Sequence, residues 1–172
     1  GNNGNGSISG HTRIYQYSSV DEEWTQLGSD IDGEAAGDSS GRSVDLSDDG
    51  TIVAIGASRN DGNGSSSGHT RIYQYANDSW SQLGSDIDGE AAGDSSGSSV
   101  SLSEDGTIVA IGATGNDGNG SNSGHTRIYQ YANDSWTQLG SDIDGEAAND
   151  YSGYSVDLSE DGTIVAIGAY RN

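Results

Sequence analysis

"RSVDLSDDGTIVAIGA", residues 42–57, holds two β-patterns back to back. In its first half Val44 and Leu46 alternate with polar residues, the period of a strand with one apolar face. Its second half, residues 51–57, is a continuous run of β-branched and small apolar residues. Such a run is expected where a strand is covered on both faces. Between them lies Asp49-Gly50, a dipeptide suited to a two-residue type I′ turn, which needs positive φ at both central positions. The stretch predicts a hairpin whose second strand is sandwiched between two layers.

The same stretch recurs twice downstream, and the text between copies recurs with it. "SGHTRIYQYANDSWTQLGSDIDGEAA", residues 123–148, is nearly repeated from Ser67 and, loosened, from Ser9. His11, His69 and His125 mark equivalent places, 58 and then 56 residues apart. The two extra residues fall in "SSVDEEW" (18–24), where later copies have "ANDSW", which marks a surface loop. Periods of this size belong to propeller blades or solenoid coils. The repeats run 1–58, 59–114 and 115–172.

Each copy adds two further strand candidates, "HTRIYQY" (11–17) and "WTQLGSDI" (24–31), and helical periodicity is absent throughout. Four short strands per copy, one of them wholly apolar, predict an all-β fold of β-propeller-type repeats. A β-solenoid is the alternative, though its coils use shorter and flatter strands. "WTQLGSDIDGE" fits the polar outer strand, and the period of two places Asp30, Asp32 and Glu34 on the side of Trp24. The chain opens on the third and fourth strands of a blade and ends on the first and second. It therefore reads as three four-stranded antiparallel blade equivalents in a circularly offset register. A propeller closes with roughly four to eight blades, so the terminal halves are expected to pair with another copy or with further repeats. Head-to-tail pairing is heterologous and yields a closed ring or an open filament. Asn2, Asn60, Asn116 and Asn172 occupy equivalent places, as in a segment of a longer array.

Composition narrows the partners. The chain carries 27 acidic residues against 6 basic ones, all arginine, for a net charge of -21. Nucleic acid binding rests on cationic neutralisation of phosphates and is not expected here, nor is an anionic membrane surface. No apolar stretch approaches the roughly 18 residues of a membrane span, so no membrane insertion is expected. Apolar residues make up only 30%, which fits thin hydrophobic layers between many turns. With no cysteine there are no disulfides and no thiolate metal sites. Such a charge repels itself unless salt or bound cations screen it, which fits a saline or calcium-rich, extracellular setting.

"SGYSVDLSEDGTIVAIGA" (152–169) resembles the FG-GAP repeat of integrin-α-type β-propellers, with "SGYSV" standing for the FG end and "IGA" for GAP. The resemblance extends over all three copies and implies propeller blades. Two departures separate this chain from that pattern. The proline of GAP is replaced by Ser58, Thr114 and Tyr170. The calcium loop that such repeats often carry is shortened to "SDDG" or "SEDG", so that ion site is not carried over.

Candidate sites lie in the connectors and along the outer strand. Asp61, Asn63 and Ser65, and equally Asp117, Asn119 and Ser121, have the 1-3-5 spacing of an oxygen-rich loop that can wrap calcium. The same residue types also build ordinary turns. The acidic sets Asp30/Asp32/Glu34/Asp38, Asp86/Asp88/Glu90/Asp94 and Asp142/Asp144/Glu146/Asp150 suit hard cations, paired-carboxylate chemistry or a solvated edge. A catalytic site is normally unique, whereas these recur in every copy, and no nucleophile elbow, P-loop or metalloprotease motif is present. No enzymatic activity is expected. The histidines are expected to pack beside Arg13, Arg71 and Arg127 on a strand face. Trp24, Trp80 and Trp136 either stack on sugar rings, one site per blade, or plug the gap between neighbouring blades. Asn5, Asn63, Asn77, Asn119 and Asn133 head Asn-x-Ser sequons, open to glycosylation if the chain is secreted.

Two functions from different classes follow. The first is a structural or adhesive extracellular module that assembles with itself, with divalent cations in support. The alternative is a lectin-like module binding glycans at one site per blade.

Overall fold

A computed structural model describes residues 5–172, and its strand order follows the repeat. The opening half-blade contributes β1 (His11–Thr12), β2 (Tyr15–Ser18), β3 (Glu23–Gln26) and β4 (Ile31–Asp32). Next come β5 (Ser43–Leu46), β6 (Ile52–Ala57), β7 (His69–Ala76), β8 (Ser79–Gln82) and β9 (Ile87–Asp88). A second set repeats these as β10 (Ser96–Leu102), β11 (Ile108–Ala113), β12 (His125–Ala132), β13 (Ser135–Gln138) and β14 (Ile143–Asp144). β15 (Ser152–Leu158) and β16 (Val165–Ala169) end the chain. Strands β5-β6-β7-β8 form one antiparallel sheet and β10-β11-β12-β13 another, with β9 and β14 added on β7 and β12. These are two complete blades. The offset register leaves half a blade on either side, β1–β4 before them and β15–β16 after them. The fold is all-β, of propeller type, with no helix among the described residues.

Double-sided burial of the apolar run comes from blade stacking. Every residue of β6 is buried. Val53 and Ile55 face Ile14 and Ile31 of the first half-blade. Ile52 and Ala54 face the next blade, in a layer with Val100, Leu102, Val109 and Ile111. Each fully buried Ile or Val removes apolar surface worth about 1.5–3 kcal/mol. One strand serving two layers is how a chain so poor in apolar residues holds together. Burial fades outward to β8 and β13, whose residues are mostly exposed.

Glycine allows the blades to approach near the inner strands. A Cβ on Gly56 would collide with the carbonyl of Gly97 in the next blade, and one on Gly112 with that of Gly153. Those same carbonyls accept hydrogen bonds from Ser43 Oγ (2.9 Å) and Ser99 Oγ (2.7 Å). Backbone therefore packs against backbone where two blades meet.

Two local expectations need correcting. Gly50 has positive φ (70°) but Asp49 does not, so the β5–β6 turn is not type I′. The Asp49 carboxylate instead accepts bonds from Thr51 N, Thr51 Oγ1 and Ser47 Oγ, and Gly50 N bonds Ser47 O. That is a four-residue turn finished by a left-handed glycine. The type I′ turns lie at Asn77-Asp78 and Asn133-Asp134, with φ of 51° and 61°, and 52° and 61°. The outer strand is also not continuous. It breaks after Gln26, Gln82 and Gln138, and the second piece pairs with a different part of the third strand. Trp24 and Asp32 thus belong to separate strands, with Asp30 and Glu34 outside either, and the period of two does not carry across the gap.

The turn carboxylates couple stability to acid. Hydrogen bonds from Thr51 lower the Asp49 pKa, those from Thr107 lower that of Asp105, and those from Ser159 and Thr163 lower that of Asp161. With folded values below unfolded ones, their contribution is complete above the ordinary carboxylate pKa of about 4 and is lost as pH falls through the folded values. Melting temperature should therefore drop below about pH 4. The Asp49→Asn/Asp105→Asn/Asp161→Asn triple variant should melt lower at neutral pH and show a flatter acid slope. An unchanged slope would contradict this account.

Candidate functional site

The blade junction gathers most of the residues singled out in sequence. Trp80 leans from the first complete blade onto the half-blade before it, and its Nε1 donates to Leu27 O at 2.9 Å. Trp136 does the same to Leu83 O at 2.8 Å. Left-handed Gly28 and Gly84 open the space, since a Cβ on either would lie 2.9 or 2.8 Å from the indole. These two tryptophans plug the gap between blades. No blade precedes Trp24 among the described residues, and it is 68% exposed.

Beneath each tryptophan runs a groove. One, of about 370 Å³, is lined by Ser29, Asp30, Asp32, Tyr73, Ser79 and Trp80, and its counterpart of about 190 Å³ includes Asp86, Asp88, Tyr129 and Trp136.

Deeper in the junction lies a set that the sequence did not assemble. His69 is 1% exposed at the start of β7. Its Nδ1 lies 3.6 Å from Asp86 Oδ2 of its own blade and 3.8 Å from Glu34 Oε2 of the preceding repeat. His125, 3% exposed, stands likewise 3.8 Å from Asp142 Oδ2 and 3.9 Å from Glu90 Oε2. Burial first, then the neighbouring arginine, lowers both histidine pKa values against the pull of the carboxylates. Arg71 Nη1 is 3.6 Å from Glu34 Oε1, and its Nη2 donates to Asp32 O at 2.8 Å. Arg127 pairs with Glu90 and forks onto Asp142 at 3.0 and 3.1 Å. Burial works against its charge, but the Asp142 and Glu90 hydrogen bonds outweigh it and raise its pKa. Histidine and arginine do share a strand face, as expected. The missed element is the glutamate from one repeat earlier. Its only signal is the fixed spacing of Glu34 to His69 and Glu90 to His125 in "DIDGE…GHTR".

Other expected sites resolve into separate surroundings. Asp61 Oδ1 accepts from Ser66 N, and Asn63 Nδ2 donates to the carbonyls of Gly89 and Glu90. Asp117 and Asn119 repeat this with Asn122, Gly145 and Glu146. Ser65 and Ser121 lie exposed in the same loops. Asp38 and Asp94 are buried, binding Ala35 N and Ala91 N and the side chains of Asn60 and Asn116. Asn116 Nδ2, held by Asp94 at 3.2 Å, also reaches Glu90 Oε2 at 3.5 Å, so Asp94 borders the His125 surroundings. Among the sequon asparagines, Asn77 and Asn133 sit exposed at the type I′ turn tips. Asn5 donates to Gly33 O.

The FG-GAP repeat model matches residues 30–73 and 86–129, half of the chain. The chain belongs to the FG-GAP repeat family. Each match begins in the acidic outer segment of one blade and runs into the third strand of the next, so the family unit spans a junction. No curated protein matches this FG-GAP chain in sequence. Among solved structures it is similar to a candidate 6-phosphogluconolactonase from Bacteroides uniformis, at 12% identity and a TM-score of 0.59 over 91% of this chain and 40% of that one. It is also similar to the hydrazine synthase of Kuenenia stuttgartiensis, at 11% identity and a TM-score of 0.53 over 89% of this chain and 34% of that one. At such identities the likeness concerns the fold. The FG-GAP chain spans less than half the length of either. No helix among the described residues is long and apolar enough to cross a membrane.

Proposed function

We propose that this chain is a non-enzymatic structural module of the extracellular space or cell surface that joins head to tail with a second copy of itself. The observation that supports it is the complementarity of its two uncovered faces. At the trailing face Ile164 is 69% exposed and Leu139 46%, while Ile52 and Leu83, their equivalents inside the array, are covered. At the leading face Trp24, Val44 and Leu46 are exposed, while Val100 and Leu102 are buried. In the repeat, the Ile52 side chain covers Gly106 and Ile108 covers Gly162. The same step in register brings Ile164 of one copy onto Gly50 of the next, and the Trp24 indole onto the Leu139 carbonyl. Free edges match as well. β16 would pair with β1 and β2 as β6 pairs with β7, completing a blade from two halves. Two copies give six blades, within the range that closes a ring.

The net charge of -21 opposes this joining, so salt or divalent cations should favour it. Light scattering on the 172-residue protein should return a whole multiple, two or more, of 17.6 kDa. Ile164→Asp should return it to 17.6 kDa with an unchanged far-UV spectrum. A wild-type protein that stays at the single-chain mass at micromolar concentration and moderate salt would sink the reading.

The grooves beside Trp80 and Trp136 favour a second reading, a lectin-like module, since each joins an indole and a tyrosine to carboxylates and serine hydroxyls. Weak sites repeated per blade gain from multivalency. A glycan array without a binder removes it.

A further inference from the structure

We propose that the two junction clusters, Glu34–His69–Asp86 and Glu90–His125–Asp142, are binding sites for a divalent transition-metal ion of the zinc class. In each, one imidazole nitrogen and one oxygen from each carboxylate lie within 4.8 Å of one another. The histidine is the second, independent sign. Both ring nitrogens of His69, and Nδ1 of His125, are buried without a hydrogen-bond partner, a state that carries a real desolvation cost. At 3.6–3.9 Å the carboxylate oxygens are too far to bond these nitrogens directly. That spacing is close to the edge of about 3.4 Å between two ligands on one tetrahedral zinc ion.

The surroundings hold the ligands in this orientation. Arg71 faces Oε1 of Glu34, leaving Oε2 toward the histidine. Gln82 donates to Oδ1 of Asp86, leaving its Oδ2 toward the same point; Gln138 likewise holds Oδ1 of Asp142, whose Oδ2 near His125 also accepts from Arg127. Such outer contacts commonly fix metal-binding carboxylates. Imidazole in the set favours zinc-class ions over calcium, which prefers six to eight oxygens. Three protein ligands with partly exposed carboxylates leave a fourth position to water. The neighbouring arginine repels a cation, and Arg127 already forks onto Asp142. The site at His69 should therefore be the tighter of the two. Because each cluster draws its glutamate from the preceding repeat, a bound ion would clamp adjacent blades. One consequence rests on the assembly proposed above: Glu146 of one copy would meet His11 and Asp30 of the next, making a third site at the joint.

The test is zinc titration of the purified 172-residue protein by calorimetry, with metal analysis after dialysis and cobalt(II) absorption as a report of coordination. Two zinc ions per chain are expected in the single-chain particle and three per chain in an assembled one. Glu34→Gln, at an exposed position, should remove one ion, and His69→Gln/His125→Gln should remove both intrachain ions. No binding at up to millimolar zinc overturns the proposal. So does binding to the single-chain particle that survives the double histidine variant, or zinc displaced by equimolar calcium. Failure of the two readings is distinguishable. Two ions on a single-chain particle keeps the metal sites and removes the assembly; an assembled particle without zinc does the reverse.

Discussion

Gly56→Ala and Gly112→Ala should each cost about 3 kcal/mol or more, as overpacking against backbone does, and lower the melting temperature by about 6–12 °C for a chain of this size. At both positions the added methyl would meet a carbonyl of the next blade, which cannot rotate away, and a serine hydroxyl of its own blade. At Gly56 relief requires the two complete blades to separate, exposing the layer built on Ile52, Val100 and Ile111; at Gly112 it requires the closing half-blade to part from the blade before it. Gly168 is the internal control. A Cβ there meets only Ser155 Oγ closely, the end of a side chain that can turn. Gly168→Ala should cost less than about 1 kcal/mol in the single chain, yet block joining, because the next copy would bring its own backbone to that spot. Equal destabilisation at 56 and 168 would show that blade contact is not what excludes the methyl.

The second large effect separates three tryptophans of nearly identical local sequence. Trp80→Ala and Trp136→Ala should cost about 3 kcal/mol each, the range for removing a large aromatic from a packed site. Each also leaves a carbonyl, Leu27 or Leu83, without its indole partner. Trp24→Ala should cost about 1 kcal/mol in the single chain, the worth of its ring contact with Tyr17. Chemical denaturation of the three variants under conditions that keep the protein single-chain reads the difference. Similar losses at all three would mean that the intrablade Tyr–Trp contact, present in every copy, carries the energy rather than the junction.

The sequence made visible what one strand decides. Residues 51–57 announced burial on both faces, and β6 has it; the return of the histidines after 58 and then 56 residues announced the blade. Apart from one turn type, what escaped was set by contacts about one repeat length away. The outer strand breaks at Gly28 because Trp80, 52 positions further on, occupies the space beside it, and a strand pattern read within one copy contains no trace of that. Asp49-Gly50 carries a strong type I′ signal, but the Asp49 carboxylate caps Thr51 instead. The type I′ turn went to Asn-Asp pairs, which have no glycine to advertise them. The histidine cluster escaped because its glutamate comes from the previous copy. Identical repeats make such a partner look like a residue's own neighbour rather than one from another blade.

The backbone contact that joins one blade to the next bears on how such a protein changes over generations. Because each complete blade meets the next through the same glycine and carbonyl, duplicating or deleting one 56-residue unit restores the same contacts. Length can drift by whole units without any new surface having to be invented. Recombination between near-identical copies is then a conservative edit, and the number of blades becomes a property of the gene's copy count rather than of any side chain.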